Sequence, residues 1–277
     1  MTVATTTGIE TGTVRVDGIE VFFRRRRGEG APAVFVHGNP THSEDWTPFL
    51  ERMSGPALAI DLPGFGRSGR PDPARFEYSM YAYALFLESA LRELGVREHS
   101  LVVHDWGGLG LISAQRHPQL IRRIVVINAV PLLPGYRWHR LARIWRTRGL
   151  GELSTKGWSR PMAAIALREA RGDWGAWPPE FVDMIWDHLD EGTFRAVLRL
   201  YRSAPESELE AAGRGLRGLG AQALVVWGLE DRYLPARFGR DYAEVLDAEL
   251  WELPGVGHWP WREDAAVIER VVGFLQR

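Results

Sequence analysis

Val102-Val103-His104-Asp105-Trp106-Gly107-Gly108 joins an apolar, β-branched run to a pair of glycines and then to a helical pattern, Leu109 to Arg116, that stops before Pro118. A buried strand that feeds a tight turn and a helix projects one side chain above the end of a sheet. Glycines after the turn let helix and strand approach closely. The usual occupant of such a nucleophile elbow is the serine of Gly-x-Ser-x-Gly. No such serine pattern occurs in these 277 residues, and the elbow position holds Asp105.

Outward from the elbow, short apolar runs alternate with helical patterns, which predicts an α/β sheet. Val14 to Phe22 reads as a hairpin turning at Asp17-Gly18. Ala33-Val34-Phe35-Val36, Ala57-Leu58-Ala59-Ile60, Leu101-Val102-Val103 and Ile124-Val125-Val126-Ile127 read as buried strands. Tyr81 to Leu94 is helical and stops at Gly95. The rhythm breaks from Pro131 to about Gly220, a Trp- and Arg-rich stretch of amphipathic helical patterns without a buried strand. It resumes with a strand at Ala223 to Trp227, a helix at Arg237 to Leu246, a strand at Glu249 to Leu253 and a closing helix at Asp264 to Leu275. The expected organisation is a core of residues 1–130 and 221–277 with a helical insertion at 131–220.

Composition removes other chemistries. The chain has no cysteine, hence no disulfide, thiolate nucleophile or Cys-ligated metal. Its one lysine, Lys156, matches neither a Schiff-base nor a P-loop pattern. A net charge of −1 argues against a nucleic-acid or polybasic membrane partner. Arg24 to Arg27 read as a solvated strand end. Met1 to Gly12 carries neither a basic start nor an apolar run, and no stretch is long and apolar enough to span a bilayer, so a cytoplasmic protein is expected.

Three motifs in order, His37-Gly38-Asn39-Pro40-Thr41, Asp61-Leu62-Pro63-Gly64-Phe65-Gly66-Arg67-Ser68 and His104-Asp105-Trp106-Gly107-Gly108, resemble the α/β-hydrolase superfamily. Within it they resemble the aspartate-nucleophile branch of epoxide hydrolases and haloalkane dehalogenases. The resemblance covers nearly the whole chain. It implies an α/β-hydrolase fold, with a mostly parallel central sheet flanked by helices, and makes the insertion a helical cap.

An aspartate nucleophile is ionised near neutral pH and attacks an sp³ carbon to form an alkyl ester. Hydrolysing that ester needs a water activated by a histidine that a carboxylate orients. Gly255-Val256-Gly257-His258-Trp259 follows a strand at the position the superfamily gives its histidine. Gly228-Leu229-Glu230-Asp231 follows the preceding strand, where the acid is often placed; Asp231 matches best, with Glu230 one position off. Each residue alone reads equally as an N-cap, a loop histidine or a turn residue. Together, at the ends of the right strands and in the order Asp105, Asp231, His258, they read as a catalytic triad. The oxyanion of the ester intermediate needs N–H donors. The Trp106 backbone supplies one, and the resemblance places the other at Asn39. His37, Pro40 and His104 flank these positions and, with Tyr136 near the cap entrance, are candidates for substrate contact. No metal or organic cofactor is required.

Epoxides and haloalkanes share this triad and differ in what receives the leaving atom. An alkoxide needs a proton donor; a halide needs only N–H donors. In Thr193 to Arg202, residues Phe194, Val197, Leu198 and Tyr201 share one helix face, predicted to point inward. Leu200-Tyr201-Arg202 resembles the Tyr-Arg segment of epoxide-hydrolase caps, whose tyrosine binds the epoxide oxygen. The second tyrosine of those caps has no clear counterpart; Tyr136 lies earlier than the pattern. Valine at 103, Asn39 and the Trp106 indole resemble the dehalogenases, but Ile127-Asn128-Ala129 lacks the carboxylate that many of them carry there. The reading is an epoxide hydrolase, with a haloalkane dehalogenase as the alternative. The expected partner is a small apolar epoxide or haloalkane, bound by a monomer or homodimer.

Overall fold

Residues 3–6 and 8–277 are described by the computed structural model, with side chains from Gly8 onward; Met1, Thr2 and Thr7 of the Thr-rich N-terminal stretch lie outside the described residues. Among these, nine strands form one sheet: β1 Val3–Thr6, β2 Ile9–Val16, β3 Ile19–Arg26, β4 Ala33–Val36, β5 Ala57–Ile60, β6 His99–Asp105, β7 Ile121–Ala129, β8 Gln222–Gly228 and β9 Glu249–Leu253. Their spatial order is β1-β2-β3-β5-β4-β6-β7-β8-β9. The first three are antiparallel, as is the β3–β5 pairing, and every pairing from β5 through β9 is parallel. The predicted hairpin turn is made at Asp17 and Gly18, both at positive φ. The second strand starts earlier than predicted, at Ile9, because β1 and the Arg-rich β3 extend the pairing on both sides.

The central strands are unbroken apolar runs because both faces are covered. Val34 and Val36, Leu101 and Val103, Val126 and Val225 face one core; Ala33, Phe35, Val102, Val125, Ile127 and Val226 face the other. All seven residues of β6 are buried. The period of two along each strand thus feeds two separate hydrophobic layers. Helices α1 Thr47–Arg52, α2 Met80–Glu93 and α3 Gly110–Arg116 pack against the first half of the sheet. Ser79 caps α2 by accepting from the Ala82 N–H, and Gly95, at φ 75°, turns the chain out of it.

Between β7 and β8 the chain forms α4 Arg140–Arg146, α5 Leu150–Ser154, α6 Arg160–Leu167, α7 Pro179–Trp186, α8 Glu191–Ser203 and α9 Glu206–Ala212, with no strand. After β8 come α10 Arg237–Leu246, α11 Pro260–Glu263 and α12 Ala266–Leu275. The closing helix begins at Ala266, two residues after the expected start, and a short separate turn, α11, precedes it at Pro260. No helix among the described residues is long and apolar enough to cross a membrane.

The parallel strands β4, β6, β7 and β8 run the same way, so the loops leaving their C-terminal ends gather on one edge of the sheet. That is where an open α/β sheet places its ligand crevice. The α4–α9 helices close over this edge. Arg232 holds them there, donating to the carbonyls of Glu169, Arg171 and Gly172, and the His258 N–H donates to Ala170 O at 2.7 Å.

Candidate active site

Asp105 ends β6 with φ 47° and ψ −124°, a conformation an L-residue adopts only when its surroundings impose it. The chain then turns through Trp106–Leu109 into α3. Two glycines make the strain possible. A Cβ on Gly107 would overlap the Val36 carbonyl, and one on Gly38 would overlap the Asp105 side chain. The elbow therefore sits against the end of β4 with its carboxylate raised off the sheet.

That carboxylate is enclosed and already held. The Asn39 N–H donates to Asp105 Oδ2 at 2.7 Å, and the Trp106 N–H is a second backbone donor. Burial raises the Asp105 pKa; His258 and the two N–H groups act against that rise. With Oδ2 tied to the Asn39 N–H, Oδ1 faces His258, whose Nε2 stands 3.9 Å away. The other ring nitrogen, Nδ1, lies 2.7 Å from Asp231 Oδ2. Asp231 is fixed in turn. Its Oδ1 accepts from the Tyr233 N–H at 2.8 Å and the Leu234 N–H at 3.0 Å, and its Oδ2 accepts from Asn128 Nδ2 at 2.8 Å. Burial pulls the His258 pKa down, but Asp231 and then Asp105 outweigh it, and the net shift is upward. Glu230 is exposed at the same turn.

Asn128 is the residue that sequence reasoning passed over. It occupies the end of β7 where a carboxylate was sought and found missing. Its side chain bridges the acid and the next strand, donating to Asp231 and accepting from the Gly228 N–H at 2.8 Å. Its signal was positional: a buried amide at a strand end, next to the acid's strand.

Tyr201 reaches toward Asp105 from α8. Its ring lies 5.0 Å from both Trp106 and Trp138 and 5.1 Å from Trp145. Burial raises the phenol's pKa and the Asp105 carboxylate adds to the rise, while the Trp106 and Asn39 side chains oppose it. Tyr201, Asn39, Asp105 and His258 line one cavity of about 80 Å³, closed on its other sides by apolar residues such as Trp145, Trp158 and Leu189. A larger open groove of about 1210 Å³ runs over the outer face of these helices; it has no contact with Asp105 and shares only Trp158 and Leu189 with the cavity.

Of the four candidates for substrate contact, Pro40 lines the cavity and the other three do not. His37 bridges two loops, its Nδ1 bonded to Gly38 O at 2.8 Å and its Nε2 accepting from the Leu62 N–H at 3.0 Å; burial holds its pKa at about 4. His104 alternates away from the elbow face, and its Nε2 bonds to the His258 carbonyl at 2.8 Å. Tyr136 packs on Trp138 and Phe238 and donates to the Tyr233 carbonyl at 3.4 Å. All three turn polar atoms to backbone partners. Two residues that the sequence did not single out, His139 and Tyr233, line the cavity instead.

The Asp61–Ser68 motif proves to be a loop lock. Asp61 accepts from the Ser43 N–H at 2.7 Å and the Arg67 N–H at 2.8 Å, and Ser68 Oγ donates to the Asp61 carbonyl at 2.6 Å. Among the described residues no cluster of three or more His, Asp or Glu side chains could hold a metal ion.

The sequence profile of the alpha/beta hydrolase family matches residues 33–271. A cis-3-alkyl-4-alkyloxetan-2-one decarboxylase from Shewanella oneidensis is 38% identical over 276 residues, covering 90% of this chain and 83% of its own. A haloalkane dehalogenase from Agrobacterium fabrum is 37% identical over 106 residues, covering 37% of this chain and 34% of its own. The crystal structure of a haloalkane dehalogenase loop variant from Bradyrhizobium elkanii superposes with a TM-score of 0.82 at 23% identity, covering 97% of both chains. The chain belongs to the alpha/beta hydrolase family, as a hydrolase with the fold of the haloalkane dehalogenases.

Proposed function

We propose that this chain opens a strained oxygen-containing ring by attack of Asp105 on an sp³ ring carbon, with an epoxide hydrolysed to a vicinal diol as the primary reaction. The observation that carries the reading is the Tyr201 phenol. It stands beside Trp106 and Asn39 over the nucleophile, and burial together with Asp105 keeps its proton on. A proton donor at that point serves an oxygen leaving group; a halide has no use for one.

In the first step Asp105 Oδ1 forms a bond to the ring carbon as the carbon–oxygen bond breaks, and the alkoxide takes the Tyr201 proton. The product is a hydroxyalkyl ester, whose carbonyl oxygen is Oδ2 in the Asn39 and Trp106 N–H pair. Esterification removes the Asp105 charge, one of the groups that raise the His258 pKa. His258 is thereby released toward its neutral form at the moment a base is needed. It takes a proton from water, the hydroxide attacks the ester carbonyl, collapse returns the Asp105 carboxylate and a diol, and the proton left on His258 restores the Tyr201 phenol.

A four-membered cyclic ester fits the same first step, and the Shewanella relative, named for such a substrate, supports that form of the reading. There the leaving group is a carboxylate on the carbon next to the new ester. Loss of CO₂ from it forms an alkene as the carbon–Asp105 oxygen bond breaks, so no water is consumed. Halide displacement is the second reading. It is favoured by the buried Trp106 indole N–H, which with the Asn39 side chain is directed at the Tyr201 hydroxyl, and by the dehalogenase relatives. One assay separates the three: an aryl epoxide, a cis-dialkyl oxetan-2-one and a bromoalkane, scored for diol, for alkene with CO₂, and for bromide. Ring opening with little bromide release is expected; bromide release without ring opening would overturn the reading.

A further inference from the structure

The proposed chemistry uses donors on one side of Asp105 only. The Tyr201 phenol serves the leaving oxygen, and the Asn39 and Trp106 N–H groups serve the ester carbonyl. A second wall of the cavity, next to His258, carries donors with no task. His139 precedes α4, and its Nδ1 accepts from the Ala142 N–H at 3.4 Å. A neutral imidazole whose Nδ1 accepts carries its proton on Nε2. Nε2 bonds to no described residue and is not sealed inside protein, and His139 is one of the residues that line the cavity. Burial holds the ring's pKa at about 4, so the ring is neutral near pH 7.

Tyr233 stands beside it. The two ring centroids are 4.8 Å apart, and Tyr233 sets its edge against His258 at 5.3 Å. Tyr201 lies 6.3 Å from His139 on the far side. An otherwise apolar pocket with a few converging donors selects by what those donors find. A substrate of carbon and halogen alone, or a plain alkyl epoxide, offers the His139 N–H no acceptor, and sites built to donate discriminate against such analogues.

We infer that His139 Nε2, flanked by the Tyr233 phenol, binds a second acceptor oxygen of the substrate, which selects ring electrophiles bearing a carbonyl or ether oxygen within one or two bonds of the attacked carbon. The inference rests on the Asp105 reading and narrows its substrate class. His139 is a specificity residue in this assignment and takes no part in bond making.

The test compares a glycidyl alkyl ether with the 1,2-epoxyalkane of equal chain length, in the parent protein, in His139→Phe and in His139→Asn. The phenyl ring keeps the volume and removes the donor. Asparagine keeps both an acceptor for the Ala142 N–H and a donor for the cavity. The parent is expected to prefer the ether roughly tenfold in kcat/KM. His139→Phe should erase that ratio, mainly through KM, and His139→Asn should restore part of it. Equal loss on both substrates in His139→Phe would make the residue structural and overturn the inference, as would a parent without preference. If neither compound leaves an ester on Asp105 in any of the three proteins, the Asp105 reading itself fails, an outcome distinct from an equal ratio.

Discussion

Tyr201→Phe removes one oxygen atom from the cavity and leaves the aromatic packing in place. The ring sits among Trp106, Trp138 and Trp145 at 5.0–5.1 Å, contacts that phenylalanine preserves. The lost hydroxyl is the group that burial and the Asp105 carboxylate keep protonated. Without it the ring oxygen departs as a free alkoxide in a closed, largely apolar space. A positioned general acid contributes about 10²–10⁴-fold, equivalent to about 2.7–5.4 kcal/mol of barrier. The loss should fall on ester formation alone, because in the proposed route hydrolysis of the ester runs through His258 and the Asn39–Trp106 pair. Rapid-quench mass analysis of the Asp105 peptide, run against steady-state kcat/KM on the same epoxide, separates the two steps. The expected result is slow ester formation with an unchanged rate of ester decay, and a much smaller loss on a bromoalkane than on the epoxide. A variant that forms the ester as fast as the parent would show that Tyr201 only packs, and the oxygen-ring reading would lose its main support.

His258→Gln removes the base while Asp105 keeps its nucleophilic oxygen, so the alkyl ester should accumulate as added mass on the Asp105 peptide; an unmodified peptide after incubation with an accepted substrate argues against the two-step route. Asn128→Ala removes the Nδ2 bond to Asp231 and strands the Gly228 N–H. A hydrogen bond to a charged group is worth about 1.5–3 kcal/mol, so denaturant unfolding should show a loss of that order, together with ester decay slowed more than ester formation; a variant as stable and active as the parent would refute the bridging role. Glu10, hydrogen-bonded to Arg25 and Arg27, has its carboxyl pKa lowered from 4.5 to about 2. A depressed folded-state pKa means its stabilisation is complete above about pH 4.5 and fades as pH falls toward 2. Melting temperature followed against pH should therefore drop more steeply across that window in the parent than in Glu10→Gln, and parallel curves would show that the cluster contributes nothing.

The fold was legible because its signals are local. Buried parallel strands need apolar residues on both faces, and β4, β5, β7 and β8 carry them as uninterrupted runs that no amphipathic helix would show. A helix end was legible where a cap marks it, as at Gly95. A boundary slipped where pairing, not sequence, extends a strand, as at Ile9, and the short turn at Pro260–Glu263 ahead of the closing helix was not read from the sequence. The aspartate, the histidine and the acid were legible as strand-end residues in a fixed order, since a parallel sheet gathers the ends of its strands on one edge.

What the sequence by itself determined is therefore the set of groups available and the edge on which they meet: a carboxylate in place of a serine at the elbow, a histidine and an acid after later strands, and a tyrosine on an inward helix face. What only the tertiary structure decided is which of their neighbours face the same space. His37, His104 and Tyr136 lie near the motifs yet turn their polar atoms to backbone partners. Asn128, His139 and Tyr233 carry no motif, yet one fixes the acid and two line the cavity. The direction of a side chain at a loop or strand end depends on contacts with residues far along the chain, such as the β7 end reaching the β8 loop and the segment before α4 reaching the residues after Asp231. No local pattern encodes those distances; only the packed chain sets them.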